Sequence, residues 1–151
     1  MSIASKELPK GWPRISASLT YANASKAIDW LCKAFGFEVQ LKVEADNGKI
    51  AHSELVLGGG LISLGDVEKP GRDWRKTPAQ AGGCTAALCV YVDDVDAHCA
   101  RARAAGAVIA SEPTTHDYGD GYWVDRSYEA IDLEGHHWWF MTRLEDKTGR
   151  A

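Results

Sequence analysis

The sequence contains no long apolar run, no secretory leader and no strongly basic segment. No stretch of apolar residues reaches the ~18 that a membrane-spanning helix needs, and the N-terminal segment lacks the apolar region of a signal peptide. The formal net charge is −4, and no Lys/Arg cluster of the kind that binds nucleic acid is present. We therefore expect a cytoplasmic protein that binds neither membranes nor nucleic acid.

The four cysteines form no pattern typical of a metal site. None of them stands in a C-x-x-C pair, and none has a zinc-type spacing to histidine. Reduced thiols are the expected state in the cytoplasm. Three of the four fall within predicted helices or strands, where a cysteine usually behaves as a small buried hydrophobic residue.

What the sequence does contain is an internal repeat. The segment YANASKAIDWLCKAFGF, which begins at Tyr21, aligns with YVDDVDAHCARARAAGA, which begins at Tyr91. In each copy a strand is followed by an Asx helix cap (Asn23, then Asp93 or Asp94), an amphipathic helix and a terminating glycine. The length of 151 residues, the 45% hydrophobic content and the repeat therefore predict one domain, 1–151, built from two similar halves.

Each copy continues with further strands, which makes the repeating unit βαβββ. Module one is predicted over 14–66 and module two over 84–143, joined by a linker at 67–83 that is rich in proline, glycine and charge. The segment EPTTHDYGDGYWVDR in module two is longer than most connections. It is either a lid over a binding site or a decorated surface hairpin.

Four segments carry a resemblance to a known family: ASKAIDWLCKAFGFE, HSELVLGGGLISL, VDDVDAHCARARAAGA and DLEGHHWWF. In order and spacing the chain resembles the vicinal oxygen chelate superfamily, also called the glyoxalase, bleomycin-resistance and dioxygenase superfamily. The likeness covers nearly all of residues 15–142 and is greatest to the bleomycin-resistance-like and PhnB-like branch. It implies an α+β fold in which two tandem βαβββ modules form a cup-shaped mixed sheet with flanking helices. It also implies a homodimer, often with modules of different chains facing each other.

The resemblance also indicates where a metal would be held. Metal-dependent members carry one ligand on the first strand and one on the last strand of each module, at set distances from the helix cap and the hairpin glycine. Those positions here are Ser16, Ser63, Ala87 and Trp139. They cannot supply the histidine and glutamate ligands of a divalent ion, so we expect no metal and no other cofactor.

The same positions set the pleat of the strands, because neighbouring strand residues point to opposite faces. Trp139 and His137 are predicted to face the cup, whereas Trp138 packs beneath a helix. On the third strand of module one, His52 and Glu54 share the cup face. We predict one cavity lined by these cup-facing side chains, with two further aromatic residues near its mouth. The predicted ligand-binding residues are His52, Glu54, Tyr118, Trp123, His137 and Trp139.

The predicted site favours a binding protein that sequesters a small aromatic or cationic molecule in the cup. An alternative is an enzyme of the same superfamily, of the lyase, isomerase or dioxygenase type, or a metal-free enzyme in which His52 and Glu54 act as acid and base. A third is a regulatory or purely dimeric accessory domain. The sequence identifies no catalytic residue beyond that pair.

Overall fold

The structure, a computed structural model, describes residues 7–66 and 70–151. Residues 1–6 of the N-terminal segment and residues 67–69, at the start of the predicted linker, lie outside this range. The elements of module one are β1 (Ala17–Tyr21), α1 (Ala24–Phe35), β2 (Glu38–Glu44), β3 (Ile50–Leu57) and β4 (Gly60–Asp66). A short helix, α2 (Pro78–Ala81), lies in the linker. Module two comprises β5 (Ala87–Tyr91), α3 (Val95–Ala104), β6 (Val108–Asp117), β7 (Trp123–Ile131) and β8 (His137–Asp146).

The strands form two four-stranded mixed sheets with the same topology. Their orders are β1-β4-β3-β2 and β5-β8-β7-β6. In each sheet the first and last strands of the module pair in parallel, and the other pairs are antiparallel. This confirms the predicted α+β fold of two βαβββ modules. No helix in the described part of the chain is long and apolar enough to cross a membrane.

Asx residues cap both long helices, as the repeat predicts. The Asn23 side chain accepts a hydrogen bond from the Lys26 N–H at 3.0 Å, and in module two it is Asp94, rather than Asp93, that accepts from the Ala97 N–H at 3.0 Å. Such caps satisfy amide groups that have no partner within the helix. Gly36 ends α1 with φ 84°, a left-handed conformation that a side chain disfavours.

The core lies between the helices and the inner faces of the sheets, and aromatic rings fill its centre. The ring of Phe35, at the end of α1, lies 5.2 Å from that of Trp138 and 4.7 Å from that of Phe140. His98 of α3 joins the two modules there. Its Nδ1 lies 2.7 Å from the Tyr128 hydroxyl and its Nε2 lies 2.9 Å from the Phe35 carbonyl oxygen. Burial in this aromatic cluster lowers the pKa of His98.

The long connection predicted in module two is a β-hairpin. β6 continues through Pro113 to Asp117 and pairs with β7, so only residues 118–122 form the turn. A proline lacks the N–H that a central strand would need, but β6 is the edge strand of its sheet. The pairing is also irregular between Ser111 and Thr114, next to the proline. The segment is therefore a β-hairpin, and its role as a lid over a binding site stays a prediction.

Candidate functional site

The two adjacent tryptophans of β8 lie on opposite faces of their sheet. Trp138 is completely buried and packs against Phe35 and Phe37. Trp139 is 36% exposed and points to the other face. This confirms the predicted pleat of β8 and identifies the open surface of the second sheet. We call this surface the module-two face, and it is formed by Cys89, Tyr91, Asp125, Glu129, His137, Trp139 and Arg143.

An acid–histidine pair lies beside Trp139. The Nδ1 atom of His137 is 2.7 Å from the Glu129 Oε1 atom. Glu129 and Cys89 are the direct cross-strand partners of Trp139, so their side chains flank the indole on the same face. A shallow crevice of about 470 Å³ opens beside His137. The arrangement offers a flat aromatic surface next to a carboxylate, which suits a ligand that combines a ring with a positive charge.

A second cluster surrounds Arg143, further along β8. The Arg143 Nε atom donates to Asp125, and the Tyr91 hydroxyl donates to the same carboxylate at 3.1 Å. The guanidinium group also lies 4.7 Å from the centre of the Trp123 ring. The hydrogen bond to Asp125 raises the pKa of Arg143, and burial, followed by Asp125, raises that of Tyr91. This cation therefore already has both a carboxylate and aromatic rings as partners.

The predicted mouth residues Tyr118 and Trp123 lie at the end of the β6–β7 hairpin, beside this cluster. Their rings are 5.9 Å apart. Tyr118 is exposed, whereas Trp123 is half-buried beneath Arg143. Arg143 thus competes for the Trp123 ring with any cationic ligand, and Tyr118 is the more accessible of the two aromatic residues.

A second acid–histidine pair lies on the first sheet. The His52 Nε2 atom is 3.0 Å from Glu54 Oε1, and Gln40 donates to Glu54 Oε2 at 2.8 Å. Hydrogen bonds, first from Gln40 and then from His52, lower the pKa of Glu54. Glu54 is therefore a carboxylate at neutral pH, held next to a half-exposed imidazole. Such a pair can orient a histidine as a proton acceptor.

The six predicted site residues thus form three groups within one chain: His52 with Glu54, His137 with Trp139, and Tyr118 with Trp123. The first group lies on the first sheet and the other two on the second. The crevice at His137 does not extend to His52 or Glu54. A single cavity lined by all of them stays a prediction that requires the two sheet faces to be brought together.

Sequence reasoning missed the partners of the predicted residues. Glu129 could have been found by counting outward from the Glu134-Gly135 turn, because a hairpin that is regular about this turn places position 129 opposite 139. Gln40 lies beyond a register irregularity in β2, so no count from the turn identifies it. Arg143 belongs to no recognisable motif, and the position of Tyr91 at the start of the repeat does not indicate its contact with Arg143.

The positions that would hold a metal in the enzymes of the resembled family do not fit one here. Ser16 and Ser63 offer only neutral hydroxyl groups, Ala87 offers a methyl group, and the Trp139 indole has no free lone pair for a metal. Ala87 lies opposite His137, whose Nδ1 atom is 2.7 Å from Glu129, and these two donors are fewer than the three that a catalytic metal takes from a protein. Within residues 7–66 and 70–151, no three His, Cys, Asp or Glu side chains are grouped so as to hold a metal ion.

Comparison with known proteins decides the family. Residues 15–140 match the family described as the Glyoxalase/Bleomycin resistance protein/Dioxygenase superfamily. The chain belongs to this superfamily. An uncharacterized protein of Mycobacterium bovis, Mb0911c, is 33% identical over 127 residues, which are 83% of this chain and 80% of the relative.

Solved structures share the fold of this chain. TioX from Micromonospora sp. ML1 superposes with a TM-score of 0.66 at 32% identity, covering 85% of this chain and 98% of TioX. The fosfomycin resistance protein FosX from Listeria monocytogenes, crystallised as a point mutant with Mn(II) and a phosphonic acid, gives a TM-score of 0.55 at 14% identity. That match covers 83% of this chain and 85% of FosX. The superfamily and its fold are therefore confirmed, and at 14% identity FosX shows the fold alone.

Proposed function

We propose that this superfamily member is a binding protein that holds a small aromatic or cationic molecule against the module-two face. The observation that carries the proposal is Trp139, a large aromatic side chain that the strand presents to solvent while its neighbour Trp138 is fully buried. Small-molecule sites are concave surfaces lined mainly by aromatic and apolar side chains with a few polar groups. Trp139 supplies an aromatic surface of this kind, and Glu129 and His137 supply polar groups beside it.

The charge next to Trp139 favours a cation. Glu129 lies directly across from the indole, so a planar cation stacked on Trp139 would have a carboxylate at its edge. The formal net charge of −4 also favours a cationic ligand. The Arg143 cluster is a weaker candidate, because its cation and its carboxylate already neutralise each other.

The proposal places the chain with the bleomycin-resistance-like and PhnB-like members rather than with the metal-dependent enzymes. Its support is the donor set, since serine, alanine and tryptophan stand at the positions where a metal would be held. The ligand would then be bound by contacts and charge alone.

A homodimer would complete the cup. β2 is an edge strand, and its apolar residues Val39, Leu41 and Val43 are all exposed, a surface that favours pairing with another chain. In a dimer with module one of each chain facing module two of the other, His52 and Glu54 would oppose His137 and Trp139. This arrangement would bring the predicted residues into one cavity.

Light scattering tests the dimer. We expect a mass of about twice the 16.4 kDa of the chain at micromolar concentration. Leu41→Lys, which places a charge on the exposed edge strand, should shift the equilibrium toward the monomer, whereas Leu144→Lys at the end of β8 should not. A wild-type mass near 16.4 kDa across the micromolar range would contradict the dimer.

Calorimetric titration with proflavine, a planar aromatic cation, and with related neutral aromatic compounds tests the binding function. Trp139→Ala should weaken binding by about 1–3 kcal/mol because the stacking surface is lost, and Trp139→Phe should weaken it less. Leu144→Ala, an exposed apolar change further along the same strand, serves as the control. Equal affinities of wild type and Trp139→Ala for every bound compound would contradict the proposal.

A metal-free enzyme is the second candidate, and one observation favours it. His52 is oriented by a carboxylate whose lowered pKa keeps it ionised, and the imidazole is half-exposed. Its Nδ1 atom has no hydrogen-bond partner among the described residues and can take a proton from a bound molecule. Incubating each bound compound with the protein and analysing the products by mass spectrometry separates the two functions, since a binding protein returns every compound unchanged.

A further inference from the structure

Arg75 is the only buried basic side chain among the residues that the structure describes. It comes from the linker and is 7% exposed. Its Nε atom donates to the Thr20 hydroxyl at 3.0 Å, and its Nη2 atom donates to the Ser18 hydroxyl at 3.4 Å and to the Leu19 carbonyl oxygen at 3.3 Å. All three acceptors are neutral, so the guanidinium charge has no counter-charge within the described chain.

The buried carboxylates among the described residues, in contrast, all have partners. Each of them has a charged partner or accepts several hydrogen bonds. These are Glu54 with His52 and Gln40, Asp66 with the N–H groups of Ala24 and Ile50, Asp125 with Arg143 and Tyr91, and Asp132 with Tyr21, Trp138 and two backbone N–H groups. A buried charge without a partner is costly. Burial accordingly lowers the pKa of Arg75, and Arg72 lowers it further.

Arg75 lines a crevice of about 290 Å³ between β1, the linker and the start of β5. Lys76 and His136 line the same crevice, as do the hydroxyl-bearing residues Ser18 and Thr20. No Asp or Glu of the described residues lines it, although acidic side chains outnumber basic ones in the chain. The crevice is therefore a locally basic and hydroxyl-lined site in an acidic protein.

We propose that this crevice binds an oxyanion, the carboxylate or phosphate group of a small molecule, with Arg75 as its counter-charge. A guanidinium group recognises such groups through charge-assisted hydrogen bonds. The Arg75 Nη1 atom donates no hydrogen bond to the described residues, which leaves it for the ligand. The hydroxyl groups of Ser18 and Thr20 hold the guanidinium in place before the anion arrives. This site does not depend on the module-two face, which is proposed to take a cation.

Titrations at low ionic strength with inorganic phosphate, 2-naphthoate and 2-naphthamide test the site, because salt screens such interactions. The amide has the ring of the naphthoate without its charge, and we expect it to bind at least about tenfold more weakly. Arg75→Met keeps the length of the side chain and should weaken binding of the anion by about tenfold or more. Arg103→Gln removes one positive charge from an exposed arginine of α3 and should leave the affinity within about twofold.

Each outcome decides the proposal. Phosphate binding without naphthoate binding would identify a free inorganic oxyanion as the ligand. Naphthoate binding without phosphate binding would identify an organic carboxylate. The proposal would be overturned if Arg75→Met and Arg103→Gln weakened anion binding equally. It would also be overturned if naphthoate and naphthamide bound with equal affinity, or if neither phosphate nor naphthoate bound. Should Arg75→Met fail to fold, the Arg75 Nε–H signal of the wild-type protein must still move on anion titration in NMR spectra. An unmoved signal at saturating anion would also overturn it.

Discussion

Replacing Trp138 with alanine is expected to lower the free energy of unfolding by about 3–5 kcal/mol. Trp138 is completely buried, and its ring contacts Phe35, Phe37 and Phe140. Removing it leaves a cavity where the two modules share their core, and this close-packed interior cannot collapse to fill it. Urea unfolding followed by circular dichroism measures the effect.

The neighbouring residue supplies the control. Trp139→Ala removes the same number of atoms from the next position of β8, but from the exposed face, and should cost less than about 1 kcal/mol. Comparable losses in the two variants would mean that the faces of β8 are not divided as the structure shows. Because the same division places Trp139 in the proposed site, this result would also remove the basis of the binding function.

Replacing Asp132 with alanine is expected to have the second large effect, which is to lower the free energy of unfolding by on the order of 3–5 kcal/mol. The buried Asp132 carboxylate accepts hydrogen bonds from the Tyr21 hydroxyl at 2.6 Å and the Trp138 Nε1 at 3.1 Å, and its other oxygen accepts from two N–H groups of its own turn. The substitution leaves these donors without a partner. It also removes one of the hydrogen bonds that link the β7–β8 turn of module two to the end of β1 in module one.

Two variants make this prediction specific. Asp132→Asn keeps an oxygen that accepts from the turn but removes the acceptor of the Trp138 N–H. It should therefore lower the free energy of unfolding by less than the alanine variant does. Asp120→Ala, at the exposed tip of the β6–β7 hairpin, should change stability by less than about 0.5 kcal/mol. Unfolding free energies for Asp132→Ala and Asp120→Ala that agree within error would contradict a structural role for Asp132.

The fold could be predicted because its signals are local and repeated. Asn23 and Gly36 mark the ends of α1 by cap chemistry, and the second copy carries Asp94 at the start of α3 and Gly106, with φ 92°, just after its end. Strand alternation then assigned Trp138 and Trp139 to their faces. Each of these inferences depends only on residues that are close in sequence.

What could not be predicted depends on residues that are distant in sequence or on context. Pro113 signals the end of a strand, but β6 continues through it because the edge of a sheet tolerates the missing N–H. Arg75 lies in a linker without periodicity, and nothing in its neighbourhood indicates that it folds back onto β1. In the proposed dimer the two sheet faces would belong to different chains, and no local pattern in one sequence specifies such a pairing.

An NMR titration of the protein with proflavine, recorded on its six indole N–H signals, tests the central claim most directly. The proposal that a small aromatic cation binds to the module-two face predicts that the Trp139 signal moves most and saturates with the calorimetric affinity. The Trp138 signal, whose N–H donates to Asp132 in the core, should stay in place. Saturable proflavine binding that leaves the Trp139 signal unmoved would contradict the account.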